Sequence, residues 1–257
     1  MHPVLFQIGP LTIYTYGLFV ASGLILGISL ALKEAKREGY DSQVILDLVF
    51  YLILTGIIGS RVFFVAQNFS FYKASPLSIF KIWEGGLVFH GGLVFAIPVG
   101  WILVKRQKLL FWKIFDLLAP SLAIGQALGR IGCFCAGCCY GAPTELPWAV
   151  TFNHPQTLAP QGIPLHPTQL YAAAANFLIF IILMFSRQKI QFTGQLSCLY
   201  LCLHSVFRFI IELFRGDPRV WIYNHTISLT QGISILVFLA AIIISVLKIK
   251  SKRKDLV

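Results

Sequence analysis

The run Gly129-Arg130-Ile131-Gly132-Cys133-Phe134-Cys135-Ala136-Gly137-Cys138-Cys139-Tyr140-Gly141 stands at the end of an apolar segment, and its reading decides the fold. It sets an arginine and four cysteines, spaced by glycines, at the edge of what composition marks as hydrocarbon. An arginine there costs about 2.5–3.5 kcal/mol or more unless it is paired, solvated or able to reach the interface. Glycines let backbone approach backbone, or backbone approach a ligand. A fixed cation in such a place is a candidate anion site, and the anion that a membrane offers is a lipid phosphate.

The rest of the chain agrees with a membrane setting. Of 257 residues, 57% are hydrophobic and 12% charged, about half the charged share of a soluble domain; the mean hydropathy is +0.77. Apolar runs at about 13–32, 46–66, 87–104, 114–129, 168–186, 194–214 and 228–247 approach or reach the roughly 17–25 residues that cross a bilayer as helix. The expectation is an all-α integral membrane protein of about seven transmembrane helices. Residues 1–257 form a single polytopic membrane domain in this reading, with an outward-facing loop segment near 130–166.

The formal charge of +11 is distributed by side. Lys33, Lys36 and Arg37, then Lys105, Arg106, Lys108 and Lys113, then Arg187 and Lys189, and finally Lys248, Lys250, Lys252, Arg253 and Lys254 follow alternate spans. The opposite links hold Lys73, Lys81, Arg130, Arg215 and Arg219. Basic residues concentrate on the cytoplasmic side, so the N-terminus is expected outside and the C-terminus inside. The basic balance reads as topology and attraction to anionic membrane lipids, and no nucleic-acid partner is expected. The N-terminus has neither a basic n-region nor a small-residue cleavage pattern, so the first span is expected to be retained.

Arg130 alone could be an arginine snorkelling from a helix end. A second cluster adds weight to a functional reading: Arg208, Glu212 and Arg215 recur at i, i+4 and i+7 and share one helical face. An Arg208–Glu212 pair is the plain account of two of them, and it leaves cations in excess. Arg61, after Gly56 and Gly59, is a further intramembrane arginine. His90 lies between Gly85-Gly86 and Gly91-Gly92, where space beside the ring would suit proton transfer; a satisfied core histidine is the plain alternative. His166-Pro167-Thr168-Gln169-Leu170-Tyr171 reads as a capped helix start, with Gln169 and Tyr171 also able to hydrogen-bond a headgroup. Tyr14 and Tyr16 fit an aromatic belt.

The cysteines stay open. Cys135-Ala136-Gly137-Cys138 matches a C-x-x-C redox pattern without its usual fold. Four zinc ligands from one short loop would require a cramped wrap. Small buried thiols in a glycine-rich turn, with Cys198 and Cys202 elsewhere, are the third reading.

Taken together these stretches resemble the prolipoprotein diacylglyceryl transferase family of the bacterial cytoplasmic (inner) membrane. The likeness runs through Ile8-Gly9-Pro10, Tyr16-Gly17-Leu18, Gly59-Ser60-Arg61, His90-Gly91-Gly92-Leu93, the Gly129–Gly141 run, His166–Tyr171, and Phe207-Arg208 with Glu212-Leu213-Phe214-Arg215. The family usually carries asparagine where this chain has Cys133, glutamate at Ala172 and glycine at Thr230. The resemblance implies transfer of a diacylglyceryl group from phosphatidylglycerol to the lipobox cysteine of prolipoprotein signal peptides, with release of glycerol phosphate.

It implies that Arg130 and Arg208 hold the phosphate, and that His90 accepts the thiol proton or positions the headgroup. Tyr16, Gly91, Gly92, Cys133 and Gly141 would shape the pocket. Arg61, Glu212, Arg215, His166, Gln169 and Tyr171 would organise headgroup and peptide. No metal and no cofactor is expected. Three alternatives differ in kind: a membrane thiol–disulfide oxidoreductase using Cys135 and Cys138, a paralogue acting on another lipid, and a transporter. The transporter is disfavoured by the lack of internal repeats.

Overall fold

In hydrocarbon a backbone N–H or C=O finds no partner but its own helix, and the apolar runs of this chain accordingly fold as helices. The computed structural model describes residues 2–8, 11–223 and 226–254; Gly9 and Pro10 of the family-like N-terminal stretch lie outside them. The long helices are α1 (Thr15–Arg37), α2 (Ser42–Gln67), α4 (Phe89–Arg106), α5 (Phe111–Ala136), α6 (Thr168–Ser186), α7 (Gln195–Glu212) and α8 (Leu229–Lys254), with the short α3 (Phe69–Ala74) after α2. Among the described residues five helical stretches are long and apolar enough to cross a membrane: α1, α2, α5, α6 with its following turn, and α8. The other two expected spans fold as helices of 18 residues each. Both carry polar residues in that length, His90, Lys105 and Arg106 on α4 and His204, Arg208 and Glu212 on α7. Ile25, Phe50, Ile97 and Leu236 are exposed along the helices, a surface suited to lipid rather than water.

Among the described residues three small antiparallel strand pairs lie outside the helices: β1 (Val4–Ile8) with β2 (Leu11–Tyr14), β3 (Val150–Thr151) with β4 (Pro164–Leu165), and β5 (Trp221–Tyr223) with β6 (Ile227–Ser228). The first precedes α1 and takes in Ile13 and Tyr14, where the first expected span begins.

The chain divides into two compact units, residues 31–114 and residues 1–30 with 115–257. In the first, Asp41 caps α2 by accepting from the Gln43 N–H at 2.9 Å. Here α2 and α4 meet through glycine: a Cβ on Gly59 would lie 2.6 Å from the Gly91 carbonyl oxygen, and one on Gly91 would lie 2.6 Å from that of Gly59. Gly92 backs onto Ser60 in the same way. Small residues at a crossing let membrane helices pack backbone to backbone.

In the second unit α1 crosses α5 at Gly23, where a Cβ would stand 3.0 Å from the Gly125 carbonyl. Ala119, Ala123, Ile179, Leu183, Leu196 and Tyr200 form a core between α5, α6 and α7. Buried Asp116 of α5 accepts from the Gly194 and Ser197 N–H groups at 2.6 and 2.7 Å and from the Ser197 hydroxyl at 2.6 Å. It thereby serves orphan donors at the start of α7 from another helix. Between α5 and α6, Phe152, Ala159 and Leu165 make a small core with Phe134, Tyr140 and Val150 against them, so the expected loop segment is folded rather than open.

Candidate functional site

The glycines and cysteines around Arg130 suggest a turn in sequence, yet α5 continues to Ala136. Arg130 and Cys133 therefore sit on helix, one turn apart. The start of α1 closes against this turn: a Cβ on Gly132 would be 3.2 Å from the Tyr16 backbone oxygen and ring and 3.1 Å from Phe19. Tyr16 is within electrostatic reach of Cys133, Cys138, Cys139 and Arg130. From α7, Arg208 comes within reach of Arg130, Arg215 and Cys139.

Three arginines thus share one neighbourhood, but their partners differ. Arg208 Nη1 lies 2.8 Å from Glu212 Oε2. Glu212 is buried, and its Oε1 accepts from the Ser228 hydroxyl at 3.1 Å and lies 3.8 Å from Arg219 Nη1. Arg215 donates from Nε and Nη2 to the two oxygens of Asp217 at 2.7 and 2.5 Å. Burial works against the charge on Arg215, but the hydrogen-bonded Asp217 carboxylate, with Cys139 and Glu212 nearby, outweighs it and raises its pKa. Among the described residues, Arg130 has no carboxylate or carbonyl partner.

The segment after α5 is pinned at one point. Gly141 donates to the His166 carbonyl at 3.1 Å, Ala142 to that of Phe214 at 2.8 Å, and Gly216 to that of Tyr140 at 3.1 Å. A Cβ on Gly141 would fall 2.4 Å from the His166 oxygen and 2.9 Å from that of Phe214. Three chain segments therefore meet where only glycine fits, one of them carrying Arg215. The residues expected near a headgroup have protein partners here. Gln169 Nε2 donates to the Cys138 carbonyl at 2.9 Å. The Tyr171 hydroxyl accepts from Trp148 Nε1 at 2.8 Å and lies 3.3 Å from His166 Nδ1. Phe214 packs against both the His166 and Tyr171 rings.

The thiols of Cys133, Cys138 and Cys139 draw together, whereas Cys135 is outside that group. The pair that a C-x-x-C redox site needs is not the one this turn assembles. Hydrogen bonds from the Cys133 and Cys138 thiols, and then the charges of Arg215 and Arg130, lower the pKa of Cys139. The Cys138 thiol, which keeps its proton in those bonds, is raised.

Four expected residues belong to the unit of residues 31–114. Arg61 is buried, and its guanidinium donates to the carbonyls of Ile79 (2.8 Å), Ser78 (2.7 Å), Gly85 (2.7 Å), Gly86 (3.1 Å) and Lys81 (3.3 Å). It also stands over the Phe64 and Tyr72 rings. His90 is exposed at the first turn of α4, its ring edge-on to Phe89. Gly91 and Gly92 lie in the contact with α2, so their missing side chains serve helix packing.

One residue escaped sequence reasoning. His204 lies one turn before Arg208, stacks on Tyr200 at 5.6 Å between centroids, and is in electrostatic reach of Arg130 and Arg208. Its position four residues before Arg208 was the available signal.

Arginines gathered at a helix end, one of them without a carboxylate or carbonyl partner among the described residues, are chemistry suited to a phosphate-bearing ligand. Comparison with known proteins narrows the class. The family model for prolipoprotein diacylglyceryl transferase matches residues 3–247. The phosphatidylglycerol–prolipoprotein diacylglyceryl transferase of Finegoldia magna is 34% identical over 255 residues, covering 99% of this chain and 97% of its own length. That of Clostridioides difficile is 33% identical over 256 residues, with coverage of 100% and 99%; that of Clostridium tetani is 36% identical over 219 residues, with coverage of 85% and 87%. The chain belongs to the prolipoprotein diacylglyceryl transferase family.

Proposed function

We propose that this enzyme transfers the diacylglyceryl group of phosphatidylglycerol to the thiol of a lipobox cysteine in prolipoprotein signal peptides. It works as a multi-pass protein of the bacterial cytoplasmic membrane, with seven spans, the N-terminus outside and the C-terminus in the cytoplasm. The thiol proton leaves, and the thiolate attacks the glyceryl carbon bonded to the phosphate oxygen. A C–S bond forms as the C–O bond breaks, and glycerol phosphate departs with the electron pair.

The observation that carries this reading is Arg130, which has no carboxylate or carbonyl partner among the described residues, beside Arg208 and Arg215. Negative charge grows on the departing phosphate oxygen, and a guanidinium already in place stabilises that change without having to reorganise. Arginine's planar fork suits two phosphate oxygens at once. Glu212 holds Arg208 in orientation, and Asp217 does the same for Arg215. Tyr16 and Cys133 line the same neighbourhood, while Gln169, His166, Tyr171 and Gly141 hold the segment that carries it. The family resemblance gives His90 the thiol proton or the headgroup to position; variants must decide between them.

The deciding experiment is transfer of labelled diacylglyceryl from phosphatidylglycerol to a lipobox peptide by purified protein in lipid. Thioether product that disappears in Arg130→Ala is the expected result. Absence of product from folded protein, beside an active relative, would indicate a paralogue using another lipid.

A further inference from the structure

Cys133 lines the neighbourhood of the transfer just described, but none of the thiols of the cysteine-rich turn takes part in its chemistry. Three Sγ atoms, those of Cys133, Cys138 and Cys139, lie within 4.8 Å of one another, and all six cysteines are free thiols. The trio forms because the chain doubles back after α5. Gly137 takes φ +76°, and Cys139 itself takes φ +59°, a left-handed conformation that is uncommon for a residue with a side chain. Such a conformation persists only where the surroundings hold it. Here Thr168 Oγ1 donates to the Cys139 carbonyl at 2.8 Å and Gln169 Nε2 to the Cys138 carbonyl at 2.9 Å. Both side chains are 1% exposed. The Cys138 thiol also points back along α5, 3.7 Å from the Cys133 carbonyl.

A tetrahedral ion bonded to three thiolates at about 2.3 Å, with water in the fourth position, holds the sulfurs about 3.8 Å apart. The observed trio needs only a small contraction to reach that spacing. Arg130 and Arg215 stand near enough to Cys139 to interact with it electrostatically, so bound thiolates would have counter-charges beside them. We propose that Cys133, Cys138 and Cys139 form a three-thiolate site for a soft, thiophilic metal ion of the zinc type. Each thiol that binds gives up its proton to solvent. Three sulfurs select soft ions over magnesium or calcium, whose ligands are oxygens. The site adjoins Arg130 and Arg215 of the proposed transfer site, and its test does not depend on activity.

Full-length protein in lipid nanodiscs, reduced with a phosphine, is titrated with Cd²⁺ while the ultraviolet thiolate-to-metal charge-transfer band is followed. The expected result is one ion per chain, displaced by Zn²⁺, with the band kept in Cys135→Ser and in Cys198→Ser/Cys202→Ser. The band should be lost in Cys138→Ser/Cys139→Ser. On the wild-type chain, bound Cd²⁺ should shield Cys133, Cys138 and Cys139, and not the other three, from maleimide, as read by peptide mass spectrometry. That measurement stands even if a variant misfolds. No band in folded wild-type protein, a band unchanged in Cys138→Ser/Cys139→Ser, or shielding of other cysteines instead would overturn the site.

Discussion

Arg208 and Glu212 face each other one turn apart on α7, with Nη1 2.8 Å from Oε2, and this pair separates the arginines of the site by task. Buried Glu212 also takes the Ser228 hydroxyl and lies near Arg219, so it is a fixed anchor rather than a free base. Arg208 is thereby held in orientation, while Arg130 has no carboxylate or carbonyl partner among the described residues.

Arg208→Lys tests that division. Lysine keeps the charge and can still pair with Glu212, but it loses the planar fork. Transfer should fall about 10²–10³-fold, the cost of removing one preorganised donor from a developing anion, with insertion and unfolding temperature unchanged. Full turnover by the variant would remove Arg208 from the phosphate.

His90→Ala separates a chemical role from a structural one. The ring is exposed at the first turn of α4, so its removal opens no cavity. The unfolding temperature in detergent should stay the same, and transfer should drop about 10²–10⁴-fold, as for loss of a positioned acid–base group. Normal turnover would make His90 dispensable.

Gly141→Ala acts through backbone. The added methyl would meet the His166 and Phe214 carbonyl oxygens at 2.4 and 2.9 Å, and those segments carry the bonds that hold Arg215 near the site. A cost of about 1–3 kcal/mol is expected for such overpacking, read as a lower unfolding temperature together with lost transfer. A variant as stable and active as the parent would show that the junction can open at no cost.

The sequence carried the helices well, because hydrophobic runs report burial in lipid directly, and it carried the Arg208–Glu212 pair because i, i+4 spacing fixes a shared face. It could not show that α5 runs past Arg130, since glycine and cysteine there read as a turn. Nor could it show which thiols meet: that depends on the left-handed conformations of Gly137 and Cys139, which residue order does not encode. Gln169 reads as a headgroup ligand by type, and only the fold reveals the Cys138 carbonyl beneath it. The Val4–Tyr14 strand pair was not read in sequence, where the first span begins at about Ile13, because short apolar runs do not by themselves distinguish strand from helix.

Arg61 makes the sharpest contrast between residue type and role. As an intramembrane arginine it reads as an organiser of headgroup and peptide, yet its guanidinium gathers the carbonyls of Ser78, Ile79, Lys81, Gly85 and Gly86. Five acceptors from one winding segment match five N–H donors in a fixed fork, and an ammonium has only three. Arg61→Lys should therefore leave buried carbonyls without a donor and cost on the order of 3 kcal/mol. The loss should appear as a lower unfolding temperature and faster proteolysis between Phe69 and Val88, while any protein that remains folded keeps its KM for phosphatidylglycerol. A raised KM with unchanged stability would return Arg61 to the lipid headgroup and make the carbonyl ring incidental.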